Sequence, residues 1–265
     1  MKTDNVPAVT EHPLKKYIRD NEAKIRAVMP DGVSPDRLME LTLNVLGRNP
    51  LLRNCDTKSV FYAVISMASL GLSPDPLMRE AYILPYRDKA QLLIGYSGWI
   101  KLLRQSMPYA VVSANVVYSN ETYSIELGSG RGISHAPKPP TDRGDKIIAA
   151  YAEVRDKASG YYDYAWMWAE EIEKIRDEKS TAHKRFQKDR TLSPWQTDTA
   201  EMYKKTVIHR LAKFFPGNAN ISRAVCLDEG KNPGAIIGIE DDEMPETSFS
   251  QPIPTKTYPT MPTML

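Results

Sequence analysis

An α+β fold, with an antiparallel or mixed sheet packed against helices, is what the sequence predicts, and three observations predict it. Apolar residues recur with helical period over Thr57 to Leu70 and again over Thr199 to Phe215. Between Ala81 and Tyr96 the period changes from helical to extended, and from Val111 to Trp168 extended runs follow one another through turns rich in Gly, Pro and Asp. The length, 265 residues, leaves ample material for a real core, as one large domain or two small ones.

The first 35 residues hold Pro7, Pro13, Pro30 and Pro35 around one short helical candidate, Leu14 to Val28, and read as a flexible N-terminal arm. Asp36 to Leu46 is amphipathic, with Leu38, Met39, Leu41, Val45 and Leu46 inward. The helix from Thr57 to Leu70, capped by Asp56 or Thr57 and closed by Gly71, has almost no polar side. Such a helix is central to the core or lies at a subunit interface; the core is the default.

AYILPY and AQLLIGY, joined through Arg87, Asp88 and Lys89, read as a hairpin, with Pro85 placing the first strand toward an edge. The second strand enters a helix through Gly95, Tyr96, Ser97 and Gly98. On that helix Trp99, Leu102 and Leu103 share one side, and Lys101, Arg104 and Gln105 the other. A glycine-bracketed turn of this kind either presents amides to an anion or simply lets strand meet helix.

Strands are expected over Val111 to Tyr118, Thr122 to Leu127, Ile147 to Arg155 and Tyr161 to Trp168, with a long, mobile loop from Gly128 to Gly144 around Gly130, Arg131 and Gly132. In the last strand Tyr162, Tyr164, Trp166 and Trp168 alternate onto one face, a packed layer rather than a platform for stacked bases. Ala169 to Lys179 is helical. Ser180 to Leu192 reads as a basic link without structure of its own.

Ser193 and Pro194 break that link, Thr197 or Asp198 can cap a new helix, and Pro216 with Gly217 stops it. On this helix Ala200, Tyr203, Val207, Ile208, Leu211, Phe214 and Phe215 are predicted to be buried, while Lys205, His209 and Lys213 form a ridge opposite, flanked by Thr206 and Arg210. Steps of four residues advance by about 6 Å, comparable with the spacing of phosphates in an extended strand. The ridge is therefore either a solvated face or a track for a nucleic-acid backbone. Lys204 falls inside the apolar sector, where it must snorkel or meet an anion. Asn220 to Leu227 is expected to add a turn or two. Beyond Asp228, prolines, Ser, Thr and acids describe a disordered acidic tail. The predicted organisation is an arm, 1–35, a core, 36–227, and a tail, 228–265.

Net charge is only +2, but it is unevenly distributed. From Lys184 to Lys213 eight bases, among them Lys184 and Arg185, stand against three acids, a net of +5. After Leu227 two lysines face seven acids, a net of −5. That asymmetry suits a polyanion-binding body with an acidic tail that competes for the basic surface or recruits a partner.

Enzyme chemistry finds little to stand on. No glycine-rich loop ends in Gly-Lys-Ser/Thr, which argues against ATP-driven strand exchange. His12, His135, His183 and His209 are scattered without metal-ligand spacing, and Cys55 and Cys226 give neither a disulfide framework nor a metal site, so no cofactor is expected. GYSGW mimics a nucleophile elbow, but Trp99 stands where a close-packing glycine is needed. Asp75, Asp177 and Lys179 are too widely separated to suggest a nuclease. With no apolar leader and no membrane-length apolar run, the expectation is a soluble protein of a reducing cytoplasm.

Several separated blocks together carry a family resemblance. NCDTKS at 54–59, LGLSPD at 70–75, AYILPY with QLLIGYSGWIKLLRQS at 91–106, and WQTDTAEMYKKTVIHRLAKFFP at 195–216 resemble, in the same order, the RecT family of phage single-strand annealing recombinases, from about Asp36 to Leu227. The resemblance implies a phage or prophage protein of the host bacterial cytoplasm that takes part in DNA recombination. It would bind single-stranded DNA in a basic groove, anneal complementary strands without ATP, hold the annealed duplex, and assemble into homo-oligomeric rings or filaments. It also implies a 5′ to 3′ exonuclease partner and, through the C-terminal tail, contact with a host single-strand-binding protein.

The family's basic block falls here on Lys204, Lys205, Thr206, Arg210 and Lys213. His209 departs from the pattern, since relatives commonly carry a second arginine there, and Ser97 departs where the family often has a basic residue within GYxG. Lys101 and Arg104 supply the neighbouring helix's contacts, with Gln91, Tyr96, Lys184 and Arg185 completing the implied DNA-binding set. A different class is an oligomeric adaptor, weak in DNA binding, that recruits the nuclease or the host protein; deleting residues 228–265 separates the two.

Overall fold

The computed structural model describes residues 22–28, 34–108, 110–126, 132–215, 219–231, 233 and 236. Most of the expected arm and tail, the stop at Pro216 and Gly217, and Gly128, Gly130 and Arg131 lie outside them. The fold is mixed α+β with antiparallel pairing, divided into two compact units: 1–93 with 226–265, and 94–225.

The first unit contains α1 (Glu22–Val28), α2 (Pro35–Arg48), a 3₁₀ turn (Pro50–Asn54), α3 (Thr57–Ser69) and the hairpin of β1 (Ala81–Tyr86) and β2 (Lys89–Ile94). Helix α3 is its centre: Val60, Met67 and Ala68 are fully buried, and Phe61, Val64 and Ile65 nearly so. Both ends of α3 are fixed by local chemistry. Asp56 accepts the Ser59 amide at 2.9 Å, and the Ser59 hydroxyl in turn accepts the Ala90 amide at 2.8 Å, tying the hairpin to the helix start. At the other end Gly71, with φ +65, lets the Gly71 and Leu72 amides reach the Ala68 and Met67 carbonyls, a Schellman closure.

The second unit contains α4 (Tyr96–Ser106), β3 (Ala110–Tyr118), β4 (Thr122–Glu126), β5 (Gly132–Ala136), β6 (Ile147–Asp156), β7 (Tyr161–Trp168), α5 (Ala169–Lys179), α6 (Thr181–Asp189), the short turn α7 (Pro194–Thr197) and α8 (Thr199–Lys213); α9 (Ala219–Asp228) crosses its C-terminal boundary. Rather than one sheet, β3, β6 and β7 form an antiparallel three-stranded sheet in the order β3-β6-β7, and β4 pairs with β5 separately. One face of the larger sheet is rich in alanine. Ala114, Ala150, Ala152, Val154, Ala165 and Met167 alternate onto it and are buried, and α8, α4 and α5 pack on the sheet there. The other face carries Tyr151, Trp166 and Val117 under the β4–β5 hairpin, whose Tyr123 and Ile133 complete a cluster.

Four expectations are corrected. The loop expected from Gly128 to Gly144 contains β5, and its later part is pinned: Asn120 bonds the Asp142 carbonyl at 2.7 Å and accepts the Gly144 amide at 2.7 Å. The basic link is the helix α6, because Ser180 caps it at the His183 amide and the buried His183 ring bonds Gln196 at 3.0 Å. The C-terminal addition is the full ten-residue helix α9. The aromatic stripe of β7 is packed only in part, since Tyr164 is 8% exposed but Trp168 is 42% exposed.

Candidate nucleic-acid interface

Helix α8 is amphipathic as its sequence dictates, and Tyr203, Val207, Ile208 and Leu211 are all buried. Ala212, absent from the expected face, is buried as well, and Phe214, expected inside, is 65% exposed. The reason is the helix end. The Phe214 and Phe215 amides bond the Leu211 and Ala212 carbonyls at 3.1 and 3.2 Å, a 3₁₀-type tightening that turns Phe215 inward against Tyr161 and leaves Phe214 outside.

The ridge opposite is not uniform. Lys205 and His209 are half-buried, and Lys213 and Arg210 are exposed. The His209 ring lies against Trp99 of α4, centroids 5.0 Å apart, so this position joins the two helices instead of standing clear of the surface. The Thr206 hydroxyl donates to the Met202 carbonyl at 2.8 Å. The Arg210 guanidinium sits 5.3 Å from the Phe214 ring centroid. Lys204 meets its anion: its Nζ is 2.7 Å from Glu201 Oε1, one helical turn earlier and largely solvent-accessible, rather than a buried carboxylate.

On α4, Trp99, Leu102 and Leu103 are buried, Lys101 is half-buried and Arg104 exposed, as the helical period requires. Gly95 and the turn after it form the strand-to-helix joint: Gly95 is extended, and its carbonyl accepts the Trp99 amide at 3.1 Å. Tyr96 opens the helix. Burial pushes its phenol above the ordinary range, Glu201 adds to that and Lys204 opposes it, which places all three within electrostatic reach. The structure thus brings Tyr96, Lys101, Arg104, Lys204, Lys205, Thr206, His209, Arg210 and Lys213 onto two packed helices of the second unit. Lys184 and Arg185 are exposed on α6, where Lys184 Nζ donates to the Glu178 carbonyl. Gln91 belongs to the first unit, half-buried on β2 beside Gly230, where an added Cβ would stand 2.7 Å from its amide nitrogen.

Two features escaped the sequence reading. A cleft of about 620 Å³ opens at the N-terminal end of α8, lined by Asp145, Glu173, Asp198 and Glu201 with a single lysine, Lys146. Inside it the Tyr203 hydroxyl donates to Glu173 at 2.9 Å; burial, then this bond, pushes that phenol far up. Its carboxylates make this end of α8 anionic, whereas Arg210 and Lys213 lie in the last turn. The same order of charge, acids first and bases last, suits the helix dipole.

The second feature is a buried polar chain under the β4–β5 hairpin. Glu121 accepts the Tyr118 and Lys138 amides at 2.8 and 2.9 Å and lies 3.1 Å from His135 Nε2. A carboxylate only accepts, so Nε2 donates, and Nδ1 lies 3.3 Å from the Tyr151 hydroxyl oxygen, which accepts from the Asn115 amide at 3.4 Å. Both features join residues far apart in sequence, and no local pattern announces them.

Among the described residues no group of three or more His, Cys, Asp or Glu side chains is disposed to hold a metal, and no helix is long and apolar enough to cross a membrane. The model of the RecT family matches residues 36–247. The chain is 32% identical over 221 residues to Protein RecT of Escherichia coli (strain K12), covering 80% of this chain and 78% of that protein. It is also 24% identical over 262 residues to the uncharacterized protein YqaK of Bacillus subtilis (strain 168), covering 95% and 84%. A family match spanning most of the chain, with this level of identity to one member, is decisive: the chain belongs to the RecT family.

Proposed function

We propose that this protein binds single-stranded DNA and anneals complementary strands in recombination, without nucleoside triphosphate hydrolysis, as a homo-oligomer that holds strand and annealed duplex in a basic groove. The observation that supports the reading is the contact of α4 with α8 in one unit of a RecT-family chain, with Lys101 and Arg104 on the one helix and Lys205, Arg210 and Lys213 on the other. Their cations neutralise phosphates and release counterions; pairing with the incoming strand supplies the selectivity. Lys204, Thr206, His209 and Tyr96 shape the groove between the helices, Lys184 and Arg185 extend it, and Gln91 is a separate DNA contact of the first unit. Residues 36–227 form the working body. The tail, 228–265, recruits a 5′ to 3′ exonuclease or a host single-strand-binding protein in a bacterial cytoplasm.

The test is the salt dependence of oligonucleotide binding. Lys205→Ala with Lys213→Ala is expected to lower the slope of log K against log salt by about 0.7 for each phosphate no longer neutralised. Annealing of complementary oligonucleotides is expected without any nucleotide present. An unchanged slope removes these lysines from the site, and a requirement for ATP overturns the mechanism.

A further inference from the structure

Phe214 is out of place for an apolar side chain. Its neighbour Phe215 is 7% exposed and packed edge-on against Tyr161 at 5.9 Å, yet Phe214 keeps 65% of its surface in solvent. Its position is not a frayed end, because its amide is bonded to the Leu211 carbonyl at 3.1 Å and the next amide to Ala212. Two cations of the same helix flank it. Arg210 places its guanidinium 5.3 Å from the ring centroid, and Lys213 precedes it in the chain and is exposed.

Among the described aromatic side chains of the second unit, Trp168 is comparably exposed, at 42%, but in the opposite electrostatic setting. Its amide is capped by Glu171 at 2.9 Å, and Glu170 stands between them in the chain. Carboxylates repel a phosphate backbone, so an aromatic ring there is a poor platform for a strand. A ring bordered by arginine and lysine combines what non-sequence-specific single-strand sites use: cations for the backbone and a π-face for a base.

Resting on the reading of α8 as a single-strand contact, we propose that Phe214 is a base-stacking residue. An unpaired nucleobase of the bound strand packs on its ring while Arg210 and Lys213 hold the flanking phosphates. The base is held by its face, so its pairing edge stays open to the complement.

The experiment compares binding of fluorescein-labelled oligo(dT) with that of an abasic oligonucleotide of equal length, over a salt series, for wild type, Phe214→Leu and Phe214→Trp. Wild type is expected to favour the base-bearing strand by about tenfold. Phe214→Leu, which keeps apolar bulk but has no π-face, should lose most of that preference; Phe214→Trp should keep it; and all three should share one salt slope. Retention of the preference in Phe214→Leu overturns the assignment. So does a loss accompanied by a shallower slope, which makes Phe214 only a support for Arg210. If wild type binds both oligonucleotides equally, the stacking role falls while the phosphate-binding reading stands. If it binds neither, that reading itself falls, and this inference with it.

Discussion

Glu121 has a carboxylate with 1% of its side chain exposed, yet its pKa lies below the ordinary value of 4.5. Burial alone would raise it; the Tyr118 and Lys138 amides and the His135 ring together outweigh burial. A depressed folded-state pKa means that this group contributes stability above its ordinary pKa, and that the contribution is lost as pH falls from about 4.5 through the lower folded value. Glu121→Gln leaves at least one of the two amides without its charged acceptor and is expected to cost about 1–3 kcal/mol at pH 7. Urea titrations should show the gap between wild type and variant narrowing toward pH 3.5. A gap of constant size would mean that the ionised carboxylate is not what the hairpin rests on. Nothing near Glu121 in the sequence announces this role, because its partners arrive from positions 135 and 138 as well as 118. Lys101 and Arg104, by contrast, are legible from helical spacing alone, since one turn of α4 decides which side they share.

At the scale of elements, legibility follows the length and purity of the apolar period. The helices α3 and α8 and the strands β3, β6 and β7 have long, clean patterns, and the structure returns them within a residue or two at each end. Strand β5 is only GISHA, with one strongly apolar residue, and exists because β4 supplies its register, Tyr123 opposite His135 and Ile125 opposite Ile133. Helix α6 depends on a buried histidine whose partners Asp177 and Gln196 lie on either side of it in sequence. The alanines of β6 have the opposite lesson: their small size is what admits α8 to the sheet. Ala152 is fully buried opposite Ala114 and Ala165. Ala152→Leu should therefore cost about 1–3 kcal/mol by overpacking, read as a lower urea midpoint, whereas Ser124→Leu on the exposed face of β4 should move it little. Equal effects at the two positions would show that α8 does not depend on this close approach.

For the whole molecule the governing quantity is where the charge lies. The chain is nearly neutral at +2, but residues 237–265 contain five acids and one lysine, a net of −4, so a chain ending at 236 carries 2 − (−4) = +6. If α8 and α4 hold the strand, an acidic tail on the same chain competes with DNA for them, and its removal raises affinity most at low ionic strength, where screening is weakest. Ending the chain at 236 keeps Gly230 against Gln91 and the close of α9, so both folded units stay intact as described. The truncated protein is expected to bind oligo(dT) more tightly than the full chain in dilute buffer and to converge with it as salt rises, while still annealing complementary strands. Recruitment of a nuclease or single-strand-binding partner should disappear at the same time, a separation that pull-down and annealing assays on one preparation can read together. Loss of annealing on truncation would move the activity to the tail or to a tail-dependent assembly, and would favour an adaptor over an annealing body.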